Sequence, residues 1–129
     1  VETINAAAWC ENSDGTFFGS GNRNSTAVAT ASFEHSEDLV KLIKIDTLTK
    51  EKVDYIKYDV EGAEREALCG SHETIETCYP ALLVSLYHRS EDIFELPLLI
   101  ASIEPSYKLY LRRHPYIPAW DLNLYATVK

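Results

Sequence analysis

The chain has 129 residues, enough for one domain (1–129) around one core, and its 46% hydrophobic and 25% charged residues are the balance of an ordinary globular protein. A formal net charge of −8, from 20 acidic against 12 basic side chains, repels phosphate backbones and anionic head groups, so no nucleic acid and no membrane is expected as a partner. Apolar runs such as Ala6–Cys10, Ala81–Val84 and Leu98–Ala101 are too short to span a bilayer, and the basic cluster Arg112-Arg113-His114 is too small to reverse the charge argument. Val1 to Trp9, rich in small residues, reads as a first strand. Asn12-Ser13-Asp14-Gly15 is a turn cluster, and Thr16-Phe17-Phe18 after it suggests a hairpin. Gly19 to Thr26 is a polar loop, and Leu39 to Ile45 a strand closed by Asp46-Thr47-Leu48.

Val53 to Val60 has the β-branched and aromatic content of a strand, which Glu61-Gly62 breaks. Ala63 to Leu68 follows as a helix with Glu64, Arg65 and Glu66 turned to solvent, and Gly70 at its end. His72 to Cys78 is a second short helix, stopped before Pro80. Ala81 to Tyr87 is nearly continuous in apolar residues, the pattern of a strand covered on both faces. Ser90 is placed to cap a helix that buries Ile93, Leu96, Leu99, Ile100 and Ile103 and is kinked or restarted at Pro97. Tyr107–Leu111 and Leu122–Val128 are the last strands, joined through Pro115 to Pro118.

Alternating strands and helices imply an α/β fold, a parallel sheet with helices on both faces. Two strands in succession at the end imply an antiparallel hairpin with one reversed strand. The cysteines Cys10, Cys69 and Cys78 are odd in number and lack close spacing, which argues for small core hydrophobes in a reducing, cytoplasmic setting rather than disulfides or zinc ligands. A chain that opens at Val1 and holds no methionine is expected to be an excerpt of something longer.

The stretch Val53-Asp54-Tyr55-Ile56-Lys57-Tyr58-Asp59-Val60-Glu61-Gly62-Ala63-Glu64 resembles the signature of the FkbM family of methyltransferases. Leu68 and Gly70, Pro80-Ala81-Leu82, Leu86-Tyr87-His88 with Glu91-Asp92, and Pro97-Leu98-Leu99 continue that likeness. So do Ile4 to Ala8, Asp14-Gly15-Thr16, Tyr107 to Arg112 and Leu122 to Ala126, so the resemblance covers essentially the whole chain. It implies a Rossmann-like class I methyltransferase sheet, truncated at its N-terminal side and ending in the antiparallel hairpin, with S-adenosylmethionine as cofactor. Family members begin with a strand, a glycine-rich loop for the cofactor and an acidic residue for its ribose. None of these precedes Ala7 here, so the chain alone is not expected to bind cofactor tightly. The truncated sheet would expose strand edges that invite pairing between copies, a homo-oligomer.

The candidate catalytic residues are Asp59, His88, Lys57 and Glu61. Lys57, Asp59 and Glu61 fall on one face if the strand stays extended, at the carboxyl end where ligands bind. Methyl transfer from a sulfonium needs alignment of donor and acceptor and removal of a proton from an alcohol. Asp59 is the first choice for contact with the acceptor or for that proton; it equally suits a helix cap or a pair with Lys57. Glu61 is better placed to stabilise the Gly62 turn and helix start, and Lys57 to serve as a structural ion pair, since a buried lysine needs a partner. His88 would lie beside Asp59 if the two strands are neighbours; its roles are a base or a histidine hydrogen-bonded at a strand end. The other histidines, His35, His72 and His114, read as surface residues. Ala7, Ala8 and Trp9 end the strand where this fold places the adenine, although small residues also serve close packing. The Tyr107, Tyr110, Tyr116 and Trp120 set suits a sugar ring, and suits core and edge packing better.

The reading is an O-methyltransferase acting on a hydroxyl of a small molecule or glycan, as the resemblance implies. Two alternatives stand beside it. One is a non-catalytic remnant or interaction module of the same fold. The other is a metal-dependent hydrolase using Asp59, Glu61 and His88; no second histidine stands at ligand spacing, so no metal is expected.

Overall fold

A computed structural model of the chain describes residues 1–18, 26–29, 39–113 and 122–128, with side chains for 1–15, 40–113 and 122–128. Two four-stranded sheets carry the mixed α/β fold, where one sheet was expected. The first is built from β1 (Ala7–Ala8), β2 (Ser13–Phe18), β3 (Thr26–Ala29) and β4 (Leu39–Ile43), in the order β1-β4-β2-β3. β1 runs parallel to β4, and β2 is antiparallel to both β3 and β4. The turn expected over Asn12 to Gly15 is largely strand, because Ser13, Asp14 and Gly15 pair with Leu42, Lys41 and Val40. Long-range pairing has overridden a local turn preference. Most of the expected 19–26 loop, with its residues 19–25, lies outside the described residues, as do His35 and His114 to Trp120.

The second sheet joins β5 (Tyr55–Tyr58), β6 (Ala81–Ser85), β7 (Lys108–Arg113) and β8 (Leu122–Thr127) in the order β5-β6-β8-β7. β5 and β6 are parallel; β8 is antiparallel to both β6 and β7. The terminal hairpin therefore folds inward: its reversed strand is inserted beside β6, and β7 takes the edge. Three helices accompany this sheet among the described residues, α1 (Glu64–Cys69), α2 (His72–Cys78) and α3 (Asp92–Ile103).

The strand period decides the core. Ile56 and Tyr58, Leu82 and Val84, and Leu124 and Ala126 point to one face of the second sheet. There they meet Ala67 and Leu68 of α1, Ile75 of α2, and Leu96, Ile100 and Ile103 of α3. Each large aliphatic side chain fully withdrawn from water in this cluster stabilises the fold by about 1.5–3 kcal/mol. The expectation of helices on both faces does not hold for the described residues. On the opposite face Tyr55, Tyr110 and Tyr125 are exposed and Leu83 is half-buried. The apolar run of β6 is thus covered chiefly on one side.

Backbone geometry explains the breaks between elements. Glu61 and Gly62 have φ of 55° and 93°, a left-handed pair that turns the chain sharply between β5 and α1. Gly70 ends α1 for a different reason: its φ is ordinary, but a Cβ there would lie 1.9 Å from the Trp9 carbonyl oxygen. That close approach locks the end of β1 against the α1–α2 junction. Beside it, a 3-10 turn at Ile45–Thr47 presents Asp46, whose carboxylate accepts the backbone N–H of Thr74 at 2.9 Å and of Glu73 at 3.3 Å. Asp46 also takes the Thr74 hydroxyl at 2.8 Å, and its own N–H donates to the Gly70 carbonyl at 3.0 Å. An aspartate distant in sequence therefore does the work of a cap for α2, where Ser71 makes no side-chain cap. Ser90 likewise does not cap α3; it donates to the Glu91 carboxylate, and α3 runs through Pro97 as one helix.

Candidate active site

β5 and β6 are parallel neighbours, so the chain leaving each of them delivers side chains to the same end of the sheet. Asp59 follows β5, and Ser85, Tyr87 and His88 lie at and beyond the end of β6. One oxygen of Asp59, Oδ1, accepts the Ser85 hydroxyl at 3.0 Å and the Tyr87 hydroxyl at 2.8 Å. The other, Oδ2, takes the Lys57 ammonium at 2.9 Å. Burial pushes the Asp59 carboxyl up, but the hydrogen bonds from Lys57, Tyr87 and Ser85 outweigh it and hold it below the usual carboxylate range. The same bond to Asp59 holds the Lys57 ammonium above its ordinary value. Asp59 and Lys57 do pair, but the lysine is exposed rather than buried, and Asp59 does not cap α1, whose N-cap is Ala63.

His88 is more enclosed than Lys57, Asp59 or Glu61, with 9% of its side chain exposed. Its Nδ1 lies 2.7 Å from Oε1 of Glu64. That oxygen also accepts the backbone N–H of Val60 at 3.0 Å, which marks it as an acceptor and Nδ1 as the donor. The ring is thereby oriented with Nε2 facing Asp59 Oδ1 at 3.8 Å and Glu61 Oε2 at 3.6 Å. Glu61 owes this position to its left-handed backbone, which carries its carboxylate over His88. Neighbouring Asp92, at the start of α3, is buried; burial and the Glu64 charge push its carboxyl up to about 6.

Lys57, Asp59, Glu61 and His88 are therefore brought together, by a bend as much as by strand extension. Glu64 is the residue that sequence reasoning missed. Read as solvent-facing, it is fully buried. The signal was its spacing: Glu64, Ala67, Leu68 and Ser71 share one helical face, and all are buried. Tyr87, Ser85 and Asp92 carried no such mark, since their roles arise from contacts across strands. The cysteines are not core residues: Cys10 is exposed, and Cys69 and Cys78 are half-buried. His72 is a surface residue paired with Glu76.

Ala7, Ala8 and Trp9 lie on the other sheet. They are half-buried, and the Trp9 N–H donates to the Ile43 carbonyl at 2.9 Å. Ala8 packs against the core cluster of the second sheet, and the three side chains, being apolar, offer no partner for the amino-acid end of S-adenosylmethionine.

A family model described as the methyltransferase FkbM domain matches residues 2–117. The chain is also similar to the crystal structure of a methyltransferase FkbM from Methylobacillus flagellatus KT, at 39% identity and a TM-score of 0.64. That similarity covers 68% of this chain but 23% of the other, so the chain spans under a quarter of that protein's length. No curated protein matches it.

Proposed function

This chain belongs to the FkbM methyltransferase domain family, and on that premise we propose that it contributes the acceptor side of an S-adenosylmethionine-dependent O-methyltransferase acting on a hydroxyl of a small molecule or glycan. The observation that carries the reading is the charged mouth at the ends of β5 and β6, where Asp59 and His88 stand 3.8 Å apart. Bound S-adenosylmethionine supplies an electrophilic methyl group on a sulfonium. The protein then has to hold an acceptor oxygen in line with that carbon and to take its proton as the O–C bond forms. Lys57, Ser85 and Tyr87 keep Asp59 ionised and fixed, and Glu64 fixes the imidazole. A hydroxyl seated at this mouth meets two groups able to receive its proton. Ala7, Ala8 and Trp9 would meet the adenine from β1.

Calorimetric titration of S-adenosylhomocysteine into the full product of the reading frame that encodes this chain tests the proposal. One-to-one binding that survives Asp59→Asn is expected, because Asp59 serves the acceptor and not the cofactor. A folded protein that takes up no S-adenosylhomocysteine would sink the enzyme reading in favour of a non-catalytic member of the family.

A further inference from the structure

We propose that Cys10 and Cys69 form a reversible disulfide across the junction of the two sheets, a redox-responsive modification site. The first argument is position. Cys10 follows β1 of the first sheet, and Cys69 is the last residue of α1, which packs on the second. The two backbones meet beside them. A Cβ placed on Gly70 would stand 1.9 Å from the Trp9 carbonyl oxygen and 3.4 Å from the Cys10 Cα. The Gly70 Cα therefore lies within about 5 Å of the Cys10 Cα, and Cys69 is one peptide step of about 3.8 Å away. A disulfide bridges Cα atoms about 4.4–6.8 Å apart, a separation that this approach admits.

The second argument is the side chains. Burial pushes the Cys69 thiol up against the pull of the Arg65 guanidinium, and the Cys10 sulfur and the Glu66 carboxylate push it further. A group that acts on a half-buried thiol through its charge is close to it, because salt water screens charges beyond about 10 Å. The third cysteine, Cys78, ends α2 and bears on Tyr107 instead. Access completes the pair: Cys10 is exposed, Cys69 is half-buried, and both are free thiols. A small disulfide such as oxidised glutathione is the oxidant. The Cys10 thiolate attacks one of its sulfurs, forming a mixed disulfide and expelling a thiolate that takes up a proton. The Cys69 thiolate then attacks the Cys10 sulfur and expels the second thiolate. Two protein thiols are oxidised and one glutathione disulfide is reduced to two thiols, so electrons and protons balance. The new bond ties the exit of β1 to the end of α1, at the contact that Trp9 and Gly70 already make.

The full product of the reading frame that encodes this chain is equilibrated with reduced and oxidised glutathione, natively and in urea, and its free thiols are then trapped with iodoacetamide in denaturant. A glutamate-specific protease releases Cys10 in residues 3–11, Cys69 in 67–73 and Cys78 in 77–91, so mass spectrometry reads each cysteine alone. Peptide 3–11 linked to 67–73 should be the main oxidised species. Its formation constant should fall by about tenfold or more in urea, because the fold brings the two sulfurs together. Cys69→Ser should leave Cys10 as a mixed disulfide with glutathione, and Cys10→Ser should leave Cys69 alkylated. A native wild type that carries glutathione on Cys10 while Cys69 stays free overturns the proposal. So does pairing of either residue with Cys78, linkage between two molecules, or a linked pair equally stable in urea.

Discussion

In the second sheet and its helices, Leu68, Ile75, Val84, Leu96, Ile100 and Leu124 are all at 0% exposure, whereas among the described side chains of the first sheet Leu42, at 2%, is the buried large apolar one. The second unit has three helices laid on one face of its strands; among the described residues the strands of the first are held chiefly by their own ladders. They are joined by the polar knot of Asp46 on α2, the fit of Trp9 against Gly70 and the packing of Ala8 and Ile45 on the second unit's core. The difference teaches where precise chemistry can be built. Asp59, Glu64 and His88 rise from the rigid unit, where packing holds side chains to fractions of an ångström.

The sharpest way to break this comparison is to remove a side chain from each unit. Ile100→Ala should cost about 4 kcal/mol, because α3 is clamped between the sheet and two helices and cannot collapse into the void. Leu42→Ala should cost about 2 kcal/mol, near the lower limit for such a change, because fewer buried apolar side chains among the described residues surround it and the site relaxes more readily. Urea unfolding measures both; equal losses would mean that the first sheet shares the core of the second.

Asp46→Ala addresses the knot itself. Removing three hydrogen bonds at the start of α2 should cost about 1–2 kcal/mol. Hydrogen exchange should then rise in β1 and β4 more than in β5 and β6. Uniform acceleration across both sheets would show that the units unfold together.

The smallest expected effect is electrostatic and belongs to the rigid unit alone. Because the fold raises the Asp92 carboxyl from its ordinary 3.8 to about 6, the folded state holds this proton more tightly than the unfolded chain does. Its contribution to stability is therefore full below about pH 4, is lost as pH climbs through about 6, and stays absent above that. Denaturation midpoints, compared between wild type and Asp92→Asn, should diverge over that interval, with the variant flatter. Parallel profiles would place the Asp92 charge in contact with water.

Several site residues were legible because strand chemistry is local. Val53 to Val60 is strand-like in composition, Glu61-Gly62 ends it, and the fold that the FkbM resemblance implies makes the strand at Ala81 its neighbour. That reasoning puts Asp59 beside His88. It failed for Glu64, because three consecutive charged residues look like a solvated face. In the helix they diverge by 100° each, and the first of them turns inward beneath His88. It failed also for Lys57, whose burial was assumed from its place in a strand; with no helix over that face among the described residues, the ammonium stays in water.

The sequence by itself determined the family, the positions of the helices and the strand character of β5 and β6, because these depend on composition, periodicity and breakers that act over a few residues. Only the tertiary structure decided that the strands divide into two sheets, that β8 inserts beside β6, and that Asp46 caps α2. It alone oriented His88 between Glu64 on one nitrogen and Asp59 and Glu61 on the other. Those outcomes are set by partners 24 or more residues apart, whose meeting follows from loop closure and side-chain packing, which no local pattern encodes.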